Sequence, residues 1–178
     1  MLVDSGLNGD ALDTYRDAAG VVQELPLRRG EGRLQLLALA PDAAPSPDVL
    51  LPEPAILANY VKIIGHSRSP VTPGDRLSWH ITWQTADSPV PQEYHFFNHL
   101  LGSTGQRLAQ ADAAAFAPRQ WQQGDVVVTH FTLDVPQASA PPFTMRSGMY
   151  VYPSQQNVPL LDVAGNAYAD ALELELGD

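Results

Sequence analysis

The chain has no cysteine. That excludes disulfide staples, thiolate metal sites and a cysteine nucleophile, and it leaves the compartment open, because many exported proteins also lack the residue. Positive charge is scarce. Ten Lys and Arg stand against twenty Asp and Glu, for a formal net charge of −10 at pH 7, and Lys62 is the single lysine. Nucleic acid is therefore not an expected partner, since its binding needs clustered cations to displace counterions. An anionic membrane surface is unexpected for the same reason. No apolar run approaches the roughly 18 residues of a membrane span. Residues 1–30 lack the basic-then-apolar layout of an export signal. The expectation is a chain that does not itself insert into a membrane.

Catalytic signatures are also missing. There is no Gly-x-Ser-x-Gly elbow, no Gly-rich loop ending in Lys for phosphates, no His-Glu-x-x-His pair and no acidic loop with calcium-binding spacing. No cofactor and no metal site is expected.

What is abundant is punctuation: sixteen prolines and thirteen glycines among 178 residues. That density fits many short strands joined by turns better than long helices, in one domain or one domain with a small N-terminal unit. Residues 1–40 read as a helix-plus-hairpin segment. Asn8-Gly9-Asp10 is a cap for a helix over about 10–19, with Ala11, Leu12, Tyr15 and Ala18 on one face and Gly20 as its stop. Strands follow at 21–27 and 33–40, with a turn over Arg29-Gly30-Glu31-Gly32 between them. Residues 41–58 hold Pro41, Pro45, Pro47, Pro52 and Pro54, and are expected to be an extended connector rather than a paired strand.

Residues 59–178 carry the main pattern. Tyr60 to His66 is a β-branched run. Leu77, Trp79, Ile81 and Trp83 then alternate with Ser78, His80, Thr82 and Gln84, the cleanest period-two run in the chain, which predicts a half-buried strand with both tryptophans in the core. Further strands are expected over 93–101, 106–111, 125–133, 144–152 and 172–176. Turns are expected at Pro73-Gly74-Asp75, Gly102 to Gly105 and Gly165-Asn166. The strand over 93–101 is bulky on both faces, which suits a central position but leaves its inward face open. Gly148 interrupts its strand as a bulge would. About seven strands at this spacing predict a mainly β fold, an immunoglobulin-like antiparallel sandwich preceded by a small α+β segment.

Three residue groups bear on chemistry. Of the five histidines, His66, His80, His95, His99 and His130, the pair His95 and His99 share a strand face but stand about 13 Å apart, too far for one metal ion. His80 or His130 would have to complete such a site from a neighbouring strand. The carboxylates Asp75, Asp112, Asp125, Asp134, Asp162 and Asp170 fall at expected turns and strand ends, where they bond nearby amides. The aromatics are the candidate ligand contacts, because a flat ring suits the apolar side of a pyranose. Trp121, in an expected loop, is the first candidate, and Tyr150 and Tyr152 on one strand face could extend a platform. The alternative is that Trp121 plugs an end of the sandwich.

Several landmarks occur in order: NYVKIIGHS, VTPGDRLSWHITWQ, EYHFFNHLLGSTGQRLAQAD, WQQGDVVVTHFTL and MRSGMYVYP. Over residues 33–176 the chain resembles the soluble extracytoplasmic β-sandwich region that follows the membrane-spanning part of some bacterial glycosyltransferases, of the protein mannosyltransferase and lipid A aminoarabinose transferase type. The matching residues are Trp83, Phe97 to Leu101, and Trp121 to Asp125. The chain departs from that pattern at the Gly102-Ser103-Thr104-Gly105 turn, where an acidic one is expected, and at Tyr152-Pro153, where Tyr-Asp-Pro is expected. The resemblance implies a non-catalytic accessory domain outside the cytoplasm, tethered through a parent membrane protein, with residues 1–40 as the tail of a preceding segment. It implies a glycan or a membrane-embedded catalytic domain as partner, and no catalytic residue here. An independent carbohydrate-binding module and a structural or protein-interaction domain are the alternatives. A hydrolase using scattered carboxylates is a more distant one.

Overall fold

The alternating run from Leu77 to Trp83 is the strand around which the larger part of the molecule is built. The structure is a computed structural model that describes residues 19–26, 33–39, 46–85, 92–115 and 122–177. It divides into two units, Met1–Ser46 and Pro47–Asp178. In the first unit β1 (Ala19–Pro26) pairs antiparallel with β2 (Arg33–Leu39), with a register shift between Val21 and Gln23. Residues 10–18 of the expected helix lie outside the described residues, whereas Gly20, its expected stop, belongs to β1.

The second unit holds two antiparallel sheets. The six-stranded sheet runs β12 (Ala167–Ala169), β11 (Leu160–Leu161), β3 (Val49–Leu57), β4 (Val61–Arg68), β5 (Arg76–Thr85), β8 (Val126–Asp134). In the five-stranded sheet, β7 (Arg107–Ala114) pairs with β6 (Tyr94–Leu101), and β6 with β9 (Thr144–Val151). The other edge of β9 takes β10 (Gln156–Asn157) near Tyr150 and β13 (Leu172–Glu175) near Ser147. The described residues form a mainly β, antiparallel sandwich, and none of them makes a helix long and apolar enough to cross a membrane.

The stretch expected to be an unpaired connector contains β3, which lies between β11 and β4. Its prolines explain how. Pairing with β4 runs through Val49–Leu50 and Ala55–Ile56, and the register shifts between Leu50 and Ala55, the interval that holds Pro52, Glu53 and Pro54. Proline lacks a donor, and here it sits where the ladder is already broken.

Between the sheets lies one apolar core, and strand alternation decides who enters it. From β5 come Leu77, Trp79, Ile81 and Trp83, and from β6 come Tyr94, Phe96 and Leu100, with Met145 and Met149 of β9 beside them. Burying side chains of this size stabilises the fold by about 1.5–3 kcal/mol each. Three buried polar groups are tied together within it. The Trp79 Nε1–H donates to Asn98 Oδ1 at 3.0 Å and the Ser147 hydroxyl to the same oxygen at 2.8 Å. Asn98 Nδ2 donates onward to the Ala111 carbonyl at 3.3 Å. One indole thus joins the two sheets through a hydrogen bond, and no member of this network is left without a partner.

Gly148 is not a bulge. Its strand runs in unbroken register with β6, Phe97 opposite Gly148. A Cβ on Gly148 would stand 2.8 Å from Phe97 Cζ, so the glycine is there to let that ring lie flat across the strand.

Candidate functional site

The alternation in β6 settles the face that the sequence left open. Tyr94, Phe96, Asn98 and Leu100 are buried toward the core, so His95, Phe97, His99 and Leu101 stand on the outward face of the five-stranded sheet. Register places Tyr150 beside His95, Gly148 beside Phe97 and Arg146 beside His99 from β9, and Ala114, Asp112 and Gln110 beside the same three residues from β7.

The outcome is a strip of rings. Tyr152, just past the end of β9, stacks on His95 with centroids 4.6 Å apart and planes 10° from parallel. His95 in turn meets Tyr150 at 5.3 Å, and the Tyr150 hydroxyl and His95 Nδ1 share a hydrogen bond of 3.2 Å. Phe97 continues the strip, 6.3 Å from Tyr150 and 5.1 Å from His99. Phe97 is only 3 % exposed while Tyr152 is 46 % exposed, so the ring faces open to solvent gather at the Tyr152 end.

Polar groups flank the rings. Asp112 lies 4.0 Å from His99 Nε2, and Arg146 Nε lies 3.7 Å from Glu173 Oε1. Burial lowers the His99 pKa, with Asp112 opposing and Arg107 and Arg146 reinforcing the shift, so the ring is neutral at pH 7. Burial, then the nearby Asp112 and Tyr152, raise the Tyr150 pKa and keep its hydroxyl protonated. Imidazoles, a phenol and a carboxylate offer both donors and acceptors around a flat apolar surface. Asp112, expected at a strand end, is instead an interior residue of β7 because that strand runs on to Ala114.

Of the sequence candidates, Tyr150 and Tyr152 meet on this face through His95, and Trp121 lies outside the described residues. The sequence presents His95, which joins the two tyrosines, as a surface or hydrogen-bonded strand histidine or, less readily, a metal ligand, and not as a ring contact. The i, i+2 steps from His95 to Phe97 and from Phe97 to His99 are the available signal, and they mark a row of rings on one strand face. The histidines divide among three surroundings. His95 and His99 face outward here; His80 and His130 face each other on the outward side of the six-stranded sheet; His66 is buried against Trp79, centroids 4.9 Å apart. His80 and His130 therefore stand on the opposite layer and cannot join His95 or His99. Among the described residues no group of three or more His, Asp or Glu side chains is placed to hold a metal ion.

An open depression of about 400 Å3 adjoins the strip at Arg146, lined also by Tyr168, Asp170, Glu173, Leu160 and Leu172. No protein-family model matches the sequence, and no curated protein matches it. Among solved structures the chain is similar to the C-terminal domain of wzt, with 14 % identity, 75 % of this chain and 83 % of that chain covered, and a TM-score of 0.47.

Proposed function

We propose that residues 47–178 are a non-catalytic glycan-recognition module, and that the outward face of the five-stranded sheet is its binding surface. The observation that carries this reading is the stack of Tyr152 on His95, continued by Tyr150, which sets ring faces on an otherwise regular sheet surface. Rings exposed in this way desolvate cheaply and suit the apolar face of a pyranose, while the neighbouring hydroxyl, imidazole and carboxylate suit its hydroxyls. The landmark resemblance supports a setting outside the cytoplasm, with the module serving a glycan-building membrane enzyme by holding or orienting its acceptor. No residue is assigned a catalytic role.

A glycan-array screen of the purified chain tests the proposal, with Tyr152→Ala and Trp121→Ala as variants. The expected result is binding that falls in Tyr152→Ala. Turnover of a glycoside, ester or phosphate substrate by the purified chain would contradict the non-catalytic assignment.

A further inference from the structure

The aromatic strip makes no use of the depression beside β9. Along that edge β10 pairs with Tyr150 and Val151, and β13 pairs with Thr144 to Ser147. Between them the chain crosses from β12 to β13 through Asp170 and Ala171, and the depression opens at this crossing. The geometry points to a second saccharide subsite here, one that takes an uncharged pyranose, so that the ligand of this face is a neutral oligosaccharide of several linked rings. This inference rests on the reading of the outward face as a glycan-binding surface.

Its size fits. About 400 Å3 lies within the roughly 300–1,000 Å3 of small-molecule sites. Its chemistry fits as well. Arg146 presents a planar fork of donors, while Asp170 and Glu173 present acceptors. Adjacent hydroxyls of a sugar both donate and accept, so they can engage both kinds of group at once. The Arg146–Glu173 pair is not closed on itself: at 3.7 Å it is too long for a hydrogen bond, and Arg146 Nε has no hydrogen-bond partner. Tyr168, 61 % exposed, supplies a ring at the wall.

The charge pattern selects an uncharged ligand. An anionic sugar would meet Asp170 and Glu173, and a cationic one could pair with these but would give the Arg146 guanidinium no acceptor. A neutral polyol both donates and accepts, and so can use all three groups.

The two subsites are contiguous. Arg146 lines the depression and also stands beside His99 on the outward face. Gly148, under the Phe97 ring, approaches the Asp170 carbonyl, 3.6 Å from its Cβ position. Tyr150 and Arg146 are four residues apart on one strand, a span of about 13 Å. That is longer than one pyranose ring, and a chain of rings bridges it.

The test is calorimetric titration of the full chain with neutral gluco-, manno- and galacto-oligosaccharides, from mono- to hexasaccharide, alongside uronic-acid and amino-sugar oligomers. Wild type is compared with Tyr168→Ala, Glu173→Gln and Tyr152→Ala. Tyr168 and Glu173 are exposed, so both variants should keep the wild-type melting temperature. The expected result is affinity that rises about tenfold or more from mono- to tetrasaccharide, and a gain that Tyr168→Ala and Glu173→Gln abolish. Wild-type length dependence in both variants, with binding lost in Tyr152→Ala, overturns the second subsite and leaves the glycan face standing. Preference for charged oligomers overturns the uncharged assignment. Binding of none of these oligosaccharides overturns both readings.

Discussion

His80 and His130 face each other across β5 and β8 with ring centroids 4.2 Å apart, on the layer opposite the aromatic strip. Burial lowers the His130 pKa to about 4, and the neighbouring His80 adds to the shift. Burial also lowers the pKa of His80 and of His66, with Asp48 opposing it in both and Arg68 reinforcing it at His66. In each case the folded state prefers the neutral ring. Between about pH 6.5 and 4 the unfolded chain therefore binds more protons than the folded one, and stability rises with pH through that window. The contribution is complete above pH 6.5 and is lost as pH falls toward 4. For His130 it is on the order of 2 kcal/mol, less than the full shift implies because the ring is partly solvated. Melting temperature against pH should fall steeply below pH 6.5 in the wild type and less steeply in His130→Gln. Equal slopes would show that His130 titrates alike in both states.

Asn98 carries a second prediction. Its Oδ1 accepts from both Trp79 and Ser147, and the three side chains are buried. Asn98→Leu keeps the volume but strands an indole N–H and a hydroxyl, at about 1–3 kcal/mol for each unsatisfied group. Denaturant unfolding should show a loss of about 2–6 kcal/mol with an unchanged m-value. A loss below 1 kcal/mol would mean that the two groups find other partners.

Gly148→Ala links core geometry to the candidate site. The new methyl would meet Phe97 Cζ at 2.8 Å and Cε1 at 2.9 Å, and Phe97 packs against both Tyr150 and His99. The ring must tilt, at a cost of about 1–3 kcal/mol for overpacking. The variant should unfold at lower denaturant and also bind glycan more weakly, although no glycan contact is removed. Reduced stability with unchanged binding would show that the tilt is absorbed away from the ring strip.

Periodicity made the fold legible where one face is apolar and the other is not. Leu77 to Trp83 is the clear case, and its inward residues are those the alternation names. Strand β6 has no such contrast, because Phe97 lies on the outward face and is still covered by Tyr150, His99 and the close approach to Gly148. Strand β3 was hidden by Pro52 and Pro54, whose effect on pairing depends on a register break that only the partner strand defines. Strands β10, β11 and β12 are too short to leave a period. The site was half visible. Tyr150 and Tyr152 show an i, i+2 pattern, but His95, which joins them, comes from a strand more than fifty residues earlier, and Arg146 and Asp170 come together only through the crossing between sheets.

The claim that one specific face binds glycan is tested most directly by titrating an array-selected oligosaccharide into the isotopically labelled full chain and mapping the amide chemical-shift changes. The account predicts that the changes cluster on β6 and β9 around His95, Phe97, Tyr150 and Tyr152, while β5 and β8 around His80 and His130 stay unmoved. Changes centred on the His80 and His130 layer, with β6 and β9 unmoved, would contradict it.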